Sequence, residues 1–134
     1  AIIRLGACLN LQIHIIEPCG FSLQDPRFKR VVMDYFELSK IFRYQDFNDF
    51  LKKNKTKRIV LMTTKAKKLY HKFSFKKNDI LLFGRESAGV PESLHKIIVN
   101  KIKVPMNKRT RSLNVAMCVA IISAEALRQN NLLK

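Results

Sequence analysis

Two short runs, Ile59 to Thr63 (IVLMT) and Asp79 to Gly84 (DILLFG), constrain the fold more than any other part of the chain. Both are apolar at consecutive positions, so neither offers a face to water. A strand with one solvated side alternates apolar and polar residues, whereas a continuous run belongs to a strand covered on both faces, as in a parallel sheet under helices. The segments around these runs complete a βα rhythm. Gln12 to Glu17 (QIHIIE) is a β-branched run closed by Pro18 and Gly20 and predicts a strand. Asp25-Pro26 predicts an N-cap with proline at the first helical position, and Phe28, Val31, Val32, Tyr35 and Phe36 then recur at helical spacing. A short strand is expected over Leu38 to Arg43, then a helix capped by Asp46 with Phe47, Phe50 and Leu51 on its apolar face. Pro91 opens a helix with Leu94, Ile97 and Ile98 facing inward, and Lys101 to Val104 (KIKV) predicts a further strand. Ser112 or Asn114 caps a final helix to about Gln129, in which Leu113 to Ala124 reads as buried. The expectation is an α/β fold with a mainly parallel sheet. A length of 134 residues fits a single domain, residues 1–134.

The charge balance points to a class of partner. Lys and Arg number 26 against 10 Asp and Glu, a formal net charge of +16, which favours a polyanion and nucleic acid first. The same richness in Lys and Asn can come from an AT-rich genome, so charge favours RNA without fixing it. Cys8, Cys19 and Cys118 have no C-x-x-C spacing, and His14, His71 and His95 form no ligand pair. A disulfide framework and a metal site are therefore not expected. Reduced thiols suit the cytoplasm. No apolar run reaches the ~20 residues of a membrane span, so no membrane association is expected.

The four glycines exclude several chemistries. No Gly-x-Gly-x-x-Gly follows a strand. Gly84 and Gly89 have P-loop spacing, but Val90-Pro91 replaces the required Lys-Ser/Thr pair. No Gly-x-Ser-x-Gly nucleophile turn occurs. Three segments remain: Ile2-Ile3-Arg4-Leu5, a charge in an apolar opening; Phe83-Gly84-Arg85-Glu86-Ser87-Ala88-Gly89-Val90-Pro91-Glu92, a strand end with a polar two-glycine loop and a helix start; and Val104-Pro105-Met106 with a basic loop leading to Arg111-Ser112-Leu113-Asn114. Singly, these are a surface arginine, a turn and a helix cap. Jointly, two of them lie at the carboxyl ends of buried strands, where α/β sheets place their ligands.

In order along the chain, these segments resemble motifs 1, 2 and 3 of the SPOUT methyltransferases. His14-Ile15-Ile16-Glu17-Pro18-x-Gly20-Phe21, Asp34-Tyr35, Thr63-Thr64-Lys65, Phe83-Gly84-x-Glu86 with Gly89-x-Pro91, and Pro105-Met106 with Arg111-Ser112-Leu113-Asn114 are similar to the branch that methylates the ribose 2′-hydroxyl of the tRNA wobble nucleotide. The resemblance implies a deep C-terminal trefoil knot, S-adenosylmethionine as cofactor, tRNA as partner, and a homodimer, for which the helix from Leu113 to Leu127 is the candidate interface. It implies cofactor contacts at Met62, Gly84, Val104, Ser112 and Leu113, and a catalytic role for Arg4. Lys65, Lys108, Arg109 and Arg111 become candidates for RNA phosphates, and Glu86 for either substrate binding or fixing its loop. The family has a further strand and an Asn-x-Gly-Asn run before its Ile-Ile-Arg, and Ala1 stands where the last Asn falls, so the domain is expected without that first strand. Ala88 and Ala124 stand where many members have Arg and Tyr. Three readings remain open on these residues: an active tRNA methyltransferase, an inactive RNA- or cofactor-binding remnant, and a related enzyme of ribosomal RNA.

Overall fold

The computed structural model describes residues 1–17, 25–27, 29–30, 40–85, 89–110 and 113–133. The helical face expected from Phe28 to Phe36, and the candidates Glu86, Arg111 and Ser112, lie outside the described residues. The chain packs as two compact units, Ala1–Thr56 and Lys57–Lys134.

In the first unit, helix α1 (Ile2–Leu9) is followed by strands β1 (Gln12–Ile16) and β2 (Lys40–Tyr44) and helix α2 (Phe47–Lys53). The sequence did not announce α1, because its helical signal lies mainly in how it ends. Asn10 adopts the left-handed conformation (φ 55°), the Leu11 N–H donates to Gly6 O at 2.8 Å, and the Asn10 N–H donates to Ala7 O at 3.4 Å. This is the helix stop that glycine usually fills and asparagine can. A Cβ on Gly6 would stand 2.7 Å from Ile13 Cδ1, so the glycine lets α1 sit directly on β1. β1 and β2 pair in parallel, from Gln12 with Lys40 to Ile16 with Tyr44. On one face His14 stacks between Phe42 (4.8 Å) and Tyr44 (5.6 Å) and shares a 2.7 Å hydrogen bond with the Tyr44 hydroxyl. Phe50 of α2 meets Tyr44 edge-on at 5.2 Å. The expected caps form: the Asp49 N–H donates to the Asp46 carboxylate at 2.7 Å, and the Arg27 N–H to that of Asp25 at 2.8 Å.

In the second unit the elements are β3 (Ile59–Met62), β4 (Lys68–Leu69) with a 3₁₀ turn (Tyr70–Lys72), β5 (Ile80–Leu82), α3 (Glu92–Ile97), β6 (Asn100–Lys103) and α4 (Val115–Gln129). The sheet order is β4-β6-β3-β5, parallel throughout. Ile102 pairs with Met62 on one side and Lys68 on the other. Only residues 63–67 join β3 to β4, so the later strand β6 lies between two strands that an earlier, short connection already links. Val60, Phe73, Phe75, Ile102, Val104 and Ile122 form the core.

Side chains of α4 fasten it to this core. The Gln129 amide accepts from Phe75 N–H at 2.9 Å and donates to Phe73 O at 2.8 Å, serving residues 73–75 much as a neighbouring strand would. Glu125 accepts from Gln129 at 2.9 Å and from Arg128 at 2.7 Å. Beside residues 73–75, Arg58 donates to Ser74 O at 2.8 Å and grips Asp79 through two bonds of 2.8 and 2.6 Å.

Four expectations are corrected. The run from Asp79 to Gly84 does not form a fully buried strand: β5 lies at the edge of the described sheet, and Ile80, Leu81 and Leu82 are half-buried. Ile97 does not face inward: it is 57% exposed, because the short α3 ends there and Ile98, at 6%, takes the buried place. The last helix starts at Val115 under an Asn114 cap (Ala116 N–H to Oδ1, 2.8 Å), which leaves Leu113 outside it. Nor is that stretch buried throughout, since Met117 is 61% exposed on the face turned from the core. Among the described residues no helix is long and apolar enough to cross a membrane, and no three His, Cys, Asp or Glu side chains gather as metal ligands.

Gln129→Ala strands a half-buried donor and acceptor together and should lower the unfolding free energy by about 2–3 kcal/mol in urea titration. Hydrogen bonds from Arg128 and then Gln129 hold the Glu125 carboxyl down, from 4.5 to about 2. Its contribution to stability is therefore complete above pH 4.5 and is lost as pH falls towards 2. Unfolding midpoints between those pH values should fall less steeply in Glu125→Gln.

Candidate functional site

Parallel pairing aligns the strand ends. Leu61 pairs with Leu82 and Met62 with Ile102, so Met62, Gly84 and Val104 all stand at the carboxyl edge of β3, β5 and β6. The Thr63 N–H continues the ladder to Ile102 O at 2.9 Å. Met62 and Phe83 are half-buried and pack on the core, and Val104 belongs to it. Three of the five expected cofactor residues are thus brought to one edge, with apolar walls on the central and flanking strands.

Gly84 is where the chain leaves this edge. A Cβ there would lie 2.5 Å from the Gly89 carbonyl carbon and 2.6 Å from Val90 N, so the two ends of the loop close on each other with no room for a side chain. The closure is an antiparallel bridge between Arg85 and Gly89, with the Gly89 N–H on Arg85 O at 2.7 Å. Gly89 itself has φ 66°, which a side chain would strain. Pro91 then leads into α3, whose first residue, Glu92, reaches back to Lys65 at 2.9 Å. That ion pair holds the segment after β3 to the start of α3. The Lys65 ammonium, hydrogen-bonding to Glu92, draws the carboxyl below its ordinary pKa. Glu92 closes the second of the three segments picked out from the sequence, but only as the start of a helix and with no role of its own. Its place one residue after Pro91 marks it as a first-turn acid, but not as the partner of Lys65.

The other candidates are placed individually. Lys108 and Arg109 are exposed on a turn built by Asn107, whose side chain accepts from Arg109 N–H at 3.0 Å and whose carbonyl accepts from Thr110 Oγ1 at 2.7 Å. Leu113, 39% exposed, precedes α4. Arg4 is exposed in the first turn of α1, in the other unit. The helix dipole does not favour a cation there.

A family model described as the SpoU rRNA methylase family matches residues 1–124, which extends across both units. The chain is 44% identical to a tRNA (cytidine(34)-2′-O)-methyltransferase of Ancylobacter novellus, over 94% of this chain and 81% of that protein. It is 36% identical to a protein of the same name from Escherichia coli K12, over 96% and 83%. Among solved structures it is similar, with TM-score 0.89 and 32% identity over 97% of this chain and 86% of the other, to one described as giving insight into 2-OH methylation of nucleotide 34 (C or U) on tRNA.

Gly84→Ala forces backbone apart, since the atoms nearest the new Cβ belong to Gly89 and Val90. It should lower stability by about 1–3 kcal/mol and weaken S-adenosylmethionine binding at least tenfold, both readable by calorimetry.

Proposed function

The chain belongs to the SpoU rRNA methylase family, and from that premise we propose that it methylates the ribose 2′-hydroxyl of the tRNA wobble nucleotide, cytidine or uridine. The observation that carries this reading is the extent of the match: proteins named for this reaction align with nearly the whole chain. The fold is that of the family, α/β with parallel strands and a C-terminal trefoil knot. Both units form one methyltransferase domain, residues 1–134, in a cytoplasmic protein; a family match running through the boundary at Thr56 supports this.

S-adenosylmethionine supplies a methyl group already activated on a sulfonium. The residues present fit it. Adenosine is flat and uncharged and calls for apolar walls with backbone polar groups at hand. Met62, Val104 and Leu113 supply walls, and Gly84, with no side chain of its own, brings backbone polar groups to the same edge. Ser112 joins them by its place in the motif.

The 2′-hydroxyl is a weak nucleophile near neutral pH, so the protein must position it and stabilise the charge that develops on its oxygen. Arg4 fills this role by binding the neighbouring phosphate or ribose and polarising the hydroxyl. A guanidinium with a pKa above ~12 does not take the proton. Lys65, Lys108, Arg109 and Arg111 hold RNA phosphates, which fixes register and not sequence. Two copies associate through the outward face of α4, where Met117 is exposed.

The test is transfer of label from S-adenosylmethionine to tRNA, with ribosomal RNA in parallel, followed by nucleoside analysis. The expected products are 2′-O-methylated cytidine or uridine from tRNA alone; label in ribosomal RNA alone, or none, would overturn the reading. Arg4→Ala should lower kcat by roughly a hundredfold with cofactor affinity unchanged.

A further inference from the structure

At the other end of β6 from Val104, and on the outer side of the sheet, lies a cleft of about 440 Å³ lined by Lys65, Lys67, Lys68, Phe73, Asn100 and Lys101 among others. Three separate stretches of chain meet in it: the crossover from β3 to β4, the segment after the 3₁₀ turn, and the start of β6. Parallel pairing of β4 with β6 creates it, setting Lys68 beside Ile102 and so Lys67 and Lys68 along the same groove as Lys101. Lys101 stands three residues before Val104, roughly 10 Å along a strand, so the end of the cleft formed by Lys67, Lys68 and Lys101 lies away from the candidate cofactor edge, while Lys65, three residues after Met62, borders that edge.

Its chemistry is one-sided. No carboxylate lines it. Lys65 is engaged by Glu92 at 2.9 Å, but among the described residues Lys67, Lys68 and Lys101 have no ion pair. Asn100 adds an amide. The aromatic ring at its base is not a stacking surface: Phe73 is 9% exposed, Arg58 covers a face at 4.9 Å, and Phe75 meets it edge-on at 4.9 Å. A groove offering ammonium groups and no free ring suits a phosphate and not a base, since bases are held by stacking. Lysines on an edge strand also discourage pairing with other chains, but that accounts for β4 alone and not for Lys101 on the strand inside it.

We propose that this cleft is a second RNA contact, holding backbone phosphates of the tRNA away from the nucleotide that is methylated. The proposal rests on the tRNA reading given above. Two consecutive phosphates would meet Lys67, Lys68 and Lys101, and Lys65 would be drawn from Glu92 towards the RNA.

The experiment compares three whole-chain proteins saturated with S-adenosylmethionine: the natural chain; Lys67→Ala with Lys68→Ala and Lys101→Ala; and a charge-matched control, Lys57→Ala with Lys76→Ala and Lys77→Ala. The control lysines are exposed near the amino ends of β3 and β5 and do not line the cleft. Binding of tRNA is measured across a salt series, with KM for tRNA and cofactor affinity alongside. The cleft variant should bind tRNA about tenfold or more weakly, with the slope of log K on log salt reduced by about 2, a raised KM and unaltered cofactor affinity. The control should lose clearly less. If the natural chain methylates tRNA while cleft and control variants weaken equally, or neither weakens, the cleft proposal falls and the function stands. If the natural chain neither binds nor methylates tRNA, both fall.

Discussion

Ile102 is hydrogen-bonded through its strand on both sides, to β3 and to β4, and the second unit is organised around that fact. A strand in the middle of a parallel sheet must have helices or loops over both faces, and its neighbours must be joined across it. Here the neighbours are joined by five residues, 63–67, so β6 can only take its place beneath that connection. Everything attached to β6 follows. Val104 is delivered to the edge where Met62 and Gly84 end, and α4 is left to pack back through Ile122 on Phe73 and Phe75. The Gln129 amide then fixes the helix by pairing with both Phe73 and Phe75. Threading and the cofactor edge are thus one constraint seen twice: the strand that passes through is the strand that completes the pocket wall.

Charge is distributed as unevenly as topology. Residues 57–134 hold 17 Lys and Arg against 4 Asp and Glu. Among the described residues, few of these cations are neutralised by neighbours: Asp79 takes Arg58, Glu92 takes Lys65 and Glu125 takes Arg128. Self-repulsion of this size costs stability, and the Arg58–Asp79 and Glu125–Arg128–Gln129 contacts counter it at the amino ends of the strands and along α4. A polyanion would relieve the remainder, which ties the fold's electrostatics to its partner. The carboxyl edge is apolar and the outer groove is basic, a division that suits a neutral purine in one and phosphates in the other.

Much of this was legible from residues alone, for identifiable reasons. The continuous apolar run at 59–63 is the inner strand β3, with Val60 and Leu61 buried, whereas the run at 79–84 gives β5, a half-buried strand at the edge of the described sheet. Asp46 and Asn114 are caps because their side chains reach the free N–H groups of the next turn. What escaped had no local signal. β4 is two residues long and exists only because β6 pairs with it, so the groove that joins Lys67 and Lys68 to Lys101 could not be read from spacing. α1 is marked chiefly by an asparagine in a left-handed stop, and a single asparagine predicts little. Ile97 misled because helical spacing assigns a face without saying where the helix ends. At the site, Met62, Gly84 and Val104 were legible as strand ends, whereas Glu92 as the partner of Lys65 depends on where the loop after Gly84 returns.

The most direct test of the central claim is to map the methyl group on the RNA. A 2′-O-methyl group protects the adjoining phosphodiester from alkali, so a hydrolysis ladder of tRNA incubated with the protein and S-adenosylmethionine reads its position at single-nucleotide resolution. One new gap is expected, at the wobble nucleotide of the anticodon. An unchanged ladder from protein that demonstrably binds S-adenosylmethionine, or a gap anywhere else in the tRNA, would contradict it.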